Sequence, residues 1–140
     1  MSFGWGVGDI LAISELAVKV YTAYKDAPDD YRHISAEVES LQVIIHKAVR
    51  HYESSSLDKN SRQEGQKVLK SCQIVLEDLN ALIEKYNVLA SSNTNQVFKR
   101  VKFGTEDIAA LRVRLISNTG LLNSFIQRFH TTLLLLSILG

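Results

Sequence analysis

Cysteine and proline are nearly absent from this chain. The single cysteine, Cys72, excludes an intramolecular disulfide and is typical of a reducing compartment, so we expect a cytoplasmic protein. Pro28 is the only proline among 140 residues, and the scarcity of this helix breaker favours long helices. A chain of this length can bury a substantial core as one domain without disulfide or metal staples.

Long uncharged apolar runs and an excess of one charge are missing as well. No window reaches the ~18 uncharged apolar residues of a membrane-spanning helix, because the apolar C-terminal run closely follows Arg128 and His130. The apolar N-terminus has no basic segment before it and carries Asp9 early, which argues against a signal peptide. A formal net charge of +1 does not supply the basic face that nucleic acids require. The sequence therefore predicts a soluble resting protein with no nucleic-acid partner.

The sequence also lacks a set of residues that could carry catalysis or hold a cofactor. His46 and His51 are five residues apart, whereas two zinc-binding imidazoles on one helical face need a spacing of four. Gly4, Gly6 and Gly8 form GxGxG, but no strand precedes them and no lysine follows, so nucleotide binding is not supported. We expect no catalytic residues, no metal and no cofactor, and we predict that the chain is not an enzyme.

What the chain does contain is helical periodicity. Apolar residues recur at alternating spacings of three and four, as at Tyr31, Ile34 and Val38, and no segment alternates with period two. Ser61 and Glu64 have the spacing of a capping box. The sequence predicts an all-α fold of four long helices in an up-down bundle plus a short connector helix. The predicted segments are a flexible N-terminus at 1–7, main helices at 8–26, 30–54, 61–91 and 105–137, and a short helix or turn at 96–103.

The last predicted helix follows the short helix or turn predicted at 96–103. Gly104 precedes the favourable N-cap Thr105, and Glu106 and Asp107 follow in the first turn, where the helix dipole favours acids. Gly120 weakens this helix by up to about 1 kcal/mol, so we expect a bend there.

The first predicted helix is apolar on nearly all sides, yet Asp9, Glu15 and Lys19 interrupt it. It can be the central helix of a soluble bundle, or a helix that leaves the bundle to engage a membrane. Its apolar residues favour insertion by about 2–5 kcal/mol, whereas each charge opposes it by up to ~3 kcal/mol, so a single copy should not insert. Insertion therefore requires prior oligomerisation. The predicted membrane-engaging residues are Phe3, Trp5, Val7, Ile10, Leu11, Ile13 and Leu16.

A basic set of residues forms a second candidate site. These side chains can attract an anionic leaflet, at about 1 kcal/mol each, or can simply solvate a helix end and its exposed face. The residues of this predicted patch are Lys99, Arg100, Lys102, Arg112 and Arg114.

Two blocks of the sequence carry a resemblance to a known family. FGWGVGDI at the start and FGTEDIAALRVRLISNTGLLNSF later resemble the N-terminal HeLo-like domain of fungal STAND (NLR-like) and ankyrin-repeat proteins. The resemblance covers nearly the whole chain as a single HeLo-like domain, 1–140. It implies a helical bundle related to HeLo, to the mixed-lineage-kinase-like four-helix bundle and, more loosely, to the coiled-coil domains of plant NLRs.

The resemblance also implies a function and partners. In that family the domain executes or signals cell death, and its N-terminal helix is thought to engage the membrane. The implied partners are further copies of the domain, a downstream nucleotide-binding, ankyrin or amyloid-motif region, and anionic membrane lipid, with recruitment to the plasma membrane on activation. The leading hypothesis is a cell-death or incompatibility effector. The alternative is a soluble homotypic interaction or adaptor module that makes no contact with lipid.

Overall fold

Four α-helices make up the fold. The computed structural model describes residues 6–27, 29–53, 59–90 and 94–139, with side chains except at 29–30, 51–53, 88–90, 94–107, 129–134 and 136. The all-α fold of four long helices is confirmed. The first three helices begin and end within two residues of the predicted bounds. The helices are α1 (Val7–Lys25), α2 (Asp29–Glu53), α3 (Lys59–Ala90) and α4 (Thr94–Leu139).

Helix α4 is longer than the sequence predicts. Residues 96–103 are helical but continuous with the last helix, so they form its first turns instead of a separate connector. The predicted start at Thr105 is therefore corrected to Thr94. Gly104 lowers helix propensity by only about 1 kcal/mol, and no proline lies nearby to stop the helix. Residues on both sides of Gly120 belong to the same continuous helix.

The helices occupy the corners of a square bundle. Helix α1 packs against α2 and α3, and α4 packs against the same two helices, so α1 and α4 lie diagonally opposite each other. Ser14 of α1 lies beside His46 of α2, and Tyr24 lies beside Tyr31, so these two helices are antiparallel.

Helices α3 and α4 form the second antiparallel pair. Arg114 pairs with Asp78, and Arg128 pairs with Glu64, so residue numbers fall along α3 as they rise along α4. Successive helices thus alternate in direction, while the α2–α3 connection crosses the diagonal of the bundle.

The core is one continuous cluster to which all four helices contribute. Apolar side chains at alternating spacings of three and four face inward from each helix, as their periodicity requires. At the end of the bundle where α1 ends, the rings of Tyr24 and Tyr86 both contact Tyr31, with centroid distances of 6.4 and 5.0 Å. The largest fully buried side chains are Ile10, Ile13, Tyr24, Tyr31, Ile34, Leu41, Ile45, Leu69, Leu76, Leu79, Leu115 and Leu122.

Candidate functional site

Helix α1 divides its apolar residues between the core and the surface. Of the predicted membrane-engaging residues, Ile10 and Ile13 are fully buried, while Val7 and Leu16 are partly buried against the core. Leu11 is 42% exposed. Most of the predicted residues that the structure describes thus belong to the packed bundle; Phe3 and Trp5 lie outside the described residues.

An outward stripe remains on α1, which we call the α1 stripe and define as Leu11, Glu15 and Val18. Their spacings of four and three place the three side chains on one helical face, and Val18 is 44% exposed. One carboxylate therefore lies between two half-exposed apolar side chains. A stripe of this composition can cover lipid or protein only where Glu15 keeps contact with water or a cation.

The other two charges of α1 have different environments. Asp9 lies in the first turn, where its Oδ2 accepts a hydrogen bond of 2.8 Å from the Gly6 N–H and caps the helix start. Lys19 is exposed, and in the described part of the chain no ion pair joins it to Glu15. Asp9 thus stabilises the helix, while Glu15 and Lys19 are the charges that oppose burial of its outer side.

Polar contacts attach α1 to both of its neighbours. The Tyr24 hydroxyl donates a buried hydrogen bond of 2.7 Å to the Leu79 carbonyl oxygen of α3. Burial, followed by the nearby Tyr31, raises the pKa of the Tyr24 phenol well above its ordinary value. On the other side, Ser14 Oγ lies 3.4 Å from His46 Nε2 of α2. Helix α1 is therefore fixed at its middle and near its C-terminal end.

Burial is the larger part of this attachment. Ile10, Ile13 and Val20 are almost completely removed from water. At about 1.5–3 kcal/mol for each such side chain, they contribute about 5–9 kcal/mol before Tyr24 is counted. The whole free energy of unfolding of a domain is about 5–15 kcal/mol. Helix α1 is thus an integral part of the core, and its detachment in water would remove most of the stability of the fold.

The structure describes the side chains of two residues of the predicted basic patch, Arg112 and Arg114. Arg112 points toward α2 and forms an ion pair with Glu37, whereas Arg114 points toward α3 and pairs with Asp78 at 2.8 Å. The side chains of Lys99, Arg100 and Lys102 lie outside the described ones. Their helical turns begin α4 beside the end of α3, so they lie at the opposite end of the bundle from the start of α1. The patch and the N-terminus of α1 therefore do not share one end of the bundle.

A surface that the sequence reasoning missed lies on α4. Val113, Ile116 and Leu121 are 68, 52 and 55% exposed. Ile74 of α3 and Val113 line the same shallow groove between the two helices. None of these three α4 residues occupies a position in the buried stripe of the helix. An apolar residue outside that stripe is the feature of the sequence that could have identified them.

Residue types that bind metals are dispersed over the described helices. Among the described residues, no three His, Cys, Asp or Glu side chains come close enough together to hold a metal ion. Burial raises the pKa of the Cys72 thiol to about 12, and its Sγ lies 3.8 Å from the Asn118 carbonyl oxygen. Cys72 therefore acts as a core side chain and not as a nucleophile.

Two further properties of the chain are its capacity to cross a membrane and its similarity to known proteins. In the described ranges, every helix falls short of the combined length and apolarity that crossing a bilayer requires. Comparison of the chain with protein-family models, with curated proteins and with solved structures found no match.

Proposed function

We propose that this domain is a cell-death or incompatibility effector that engages membranes through α1 once several copies are clustered by a downstream sensor region. The observation that supports the proposal is the α1 stripe: Leu11 and Val18 stay half exposed on a helix whose opposite side is buried in the core. The resemblance to fungal HeLo-like domains supplies the cell-death role.

The energetics favour a mechanism in which α1 passes from the core into lipid without an exposed intermediate. Ile10, Ile13 and Val20 lose about 5–9 kcal/mol if they enter water, but hydrocarbon buries them again. Lipid does not replace the water that solvates Glu15 and Lys19. The free energy of moving each of these charges into hydrocarbon is up to about 3 kcal/mol. Neighbouring copies of α1 can orient these charges toward a shared aqueous lumen, so clustering precedes insertion.

The alternative function is a homotypic interaction module that does not contact lipid. One observation favours it: the middle of α4, on the corner diagonal to α1, exposes the large apolar side chains of Val113, Ile116 and Leu121. That surface can join protein copies without any role for α1.

The decisive experiment compares two exposed positions in a leakage assay. The chain, biotinylated on an added C-terminal residue and clustered on streptavidin, is mixed with dye-loaded phosphatidylcholine–phosphatidylserine vesicles. Leu11→Glu should reduce dye release about tenfold or more, because an additional carboxylate on α1 raises the free energy of insertion by up to about 3 kcal/mol. Ala81→Glu adds the same carboxylate to an exposed apolar position of α3 and should leave release unchanged.

Ile13→Glu is not a suitable test, because Ile13 is buried and its replacement would disrupt the core. Equal dye release by the Leu11→Glu and parent chains would remove α1 from the mechanism. If the clustered parent chain neither binds nor permeabilises the vesicles, the interaction-module alternative replaces the membrane proposal.

A further inference from the structure

The outward side of α4 carries no charged side chain for more than three turns. We call this surface the α4 face. Between Arg114 and Arg128 every exposed residue is uncharged, and Val113, beside Arg114, extends the surface by one apolar side chain. The α4 face consists of Val113, Ile116, Ser117, Gly120, Leu121 and Ser124, all of them exposed.

The other helices differ from α4 in this respect. The exposed side of α2 includes Arg32, Glu39 and Lys47, and that of α3 includes Lys67 and Glu77, so charges recur along both helices. An apolar patch of about 300–600 Å² is the largest that a typical monomer exposes, and such a patch is often functional. The α4 face gathers three large exposed side chains, and Ile74 lies across the groove from Val113.

The shape of the α4 face allows a second helix to approach closely. Ser117, Gly120 and Ser124 are small, and they lie between the larger Val113, Ile116 and Leu121. Apart from its chain neighbours and the adjacent backbone of α4, no atom of the described residues lies within 4 Å of the place that a Cβ on Gly120 would occupy. The large side chains of the α4 face therefore form ridges, and the small residues form a shallow groove beside them. Two helices pack together by placing the ridges of one into the grooves of the other.

We propose that the α4 face is a docking surface for the same face of a second copy of this chain, with the two α4 helices antiparallel about a two-fold axis near Ser117. In this register Val113 of one copy lies opposite Leu121 of the other, and Arg114 lies opposite Gly120. A two-fold axis requires a surface that is complementary to itself.

Charge is the reason for choosing a second copy as the occupant. Because the α4 face is uncharged, two copies bring no like charges together at the centre of the contact. The arginines beside it are already paired within each copy, Arg114 with Asp78 and Arg128 with Glu64. A strongly acidic or basic partner would find no complementary charge in the α4 face.

The size of the α4 face predicts a weak contact. A stable complex involves about 20–30 residues on each partner, whereas the α4 face consists of six. Association should therefore be slight in dilute solution and substantial at the millimolar effective concentrations of tethered chains. The inference deepens the proposed function, on whose clustering step it rests, by naming the surface through which clustered copies meet.

Cysteine cross-linking without lipid tests the α4 face separately from the membrane proposal. The chain suits this method because its one native cysteine, Cys72, is buried. Ser117→Cys places a reactive thiol near the proposed axis, and Ser40→Cys places one on the exposed side of α2 as a matched control. With a short bismaleimide at high chain concentration, Ser117→Cys should yield about tenfold more covalent dimer than Ser40→Cys.

Charge insertion supplies the second variant pair. Val113→Glu in the Ser117→Cys chain should reduce dimer yield about tenfold, whereas Val43→Glu, which replaces an exposed valine of α2, should not change it. Equal yields from Ser117→Cys and Ser40→Cys would overturn the proposal. Cross-linking only in mixtures of Ser117→Cys and Thr22→Cys chains would overturn it in favour of a head-to-tail contact with α1. Loss of vesicle leakage alone leaves the cross-linking result unaffected, so the two proposals fail separately.

Discussion

The hydroxyl of Tyr24 allows a quantitative test of how firmly α1 is held. Tyr24→Phe removes the buried hydrogen bond to the Leu79 carbonyl and keeps the ring that packs against Tyr31. A buried hydrogen bond contributes about 0.5–1.5 kcal/mol net, so we expect the free energy of unfolding to fall by about 1 kcal/mol near pH 8. Urea unfolding followed by circular dichroism at 222 nm measures this difference.

The same hydroxyl predicts a loss of stability in alkali. Because burial raises the pKa of Tyr24 in the folded state, the unfolded chain releases this proton first as pH rises. The contribution of the Tyr24 phenol to the free energy of unfolding is therefore fully present below about pH 10. Above that pH it decreases by up to about 1.4 kcal/mol per pH unit. Tyr24→Phe lacks this sensitivity, so its deficit of about 1 kcal/mol near pH 8 should vanish near pH 11.

Tyr21→Phe is the matched control, because Tyr21 lies on the same helix but is only partly buried. Its stability should follow that of the parent chain at both pH values. A Tyr24→Phe deficit that stays constant from pH 8 to pH 11 would refute the reasoning, because it would mean that the phenol is not desolvated in the folded state.

Two further predictions concern α4 and the core. Gly120→Ala should raise the free energy of unfolding by about 0.5–1 kcal/mol, because the added methyl group meets no atom of another described helix within 4 Å and alanine favours the helix; a melting temperature that is unchanged or lower would contradict this. The Cys72 thiol should react with Ellman's reagent near pH 8 about 1,000-fold more slowly than an ordinary thiol, since its pKa is raised from 9.0 to about 12, and denaturant should restore normal reactivity. Rapid reaction of the folded chain would show that Cys72 is accessible.

The sequence was sufficient for the helices and insufficient for their arrangement. Spacings of three and four locate the buried stripe of α2 from Tyr31 to Ala48, because that helix has a clear polar side. On α1 the same reasoning is ambiguous, since apolar residues occur all round, and only packing shows that Ile10 is buried while Leu11 is exposed. The diagonal placement of α1 and α4 depends on contacts between distant residues, which periodicity does not contain.

The residues of the candidate site could likewise be predicted only in part from the sequence. The composition of α1 led to Leu11 directly, and the structure leaves this side chain half exposed, while its membrane role stays a prediction. The sequence does not show that Arg112 and Arg114 pair with different neighbouring helices, and the basic patch that includes them stays a prediction. The sequence analysis did not identify Val113, Ile116 and Leu121. Isolated apolar residues outside a buried stripe are common, and only the structure shows that these three lie on one exposed face.

The positions of α1 and α4 together suggest an order of events. Helix α1 is held by about 5–9 kcal/mol of aliphatic burial, whereas the α4 face is already exposed and needs no rearrangement to dock. Because the two helices lie on diagonal corners, copies joined through α4 keep α1 on the outside of the pair, free to reach lipid. Assembly through α4 can therefore precede release of α1, so Val113→Glu should weaken clustering while leaving the resting bundle intact. Leu11→Glu should leave α4 cross-linking unchanged and stop the process only at the membrane.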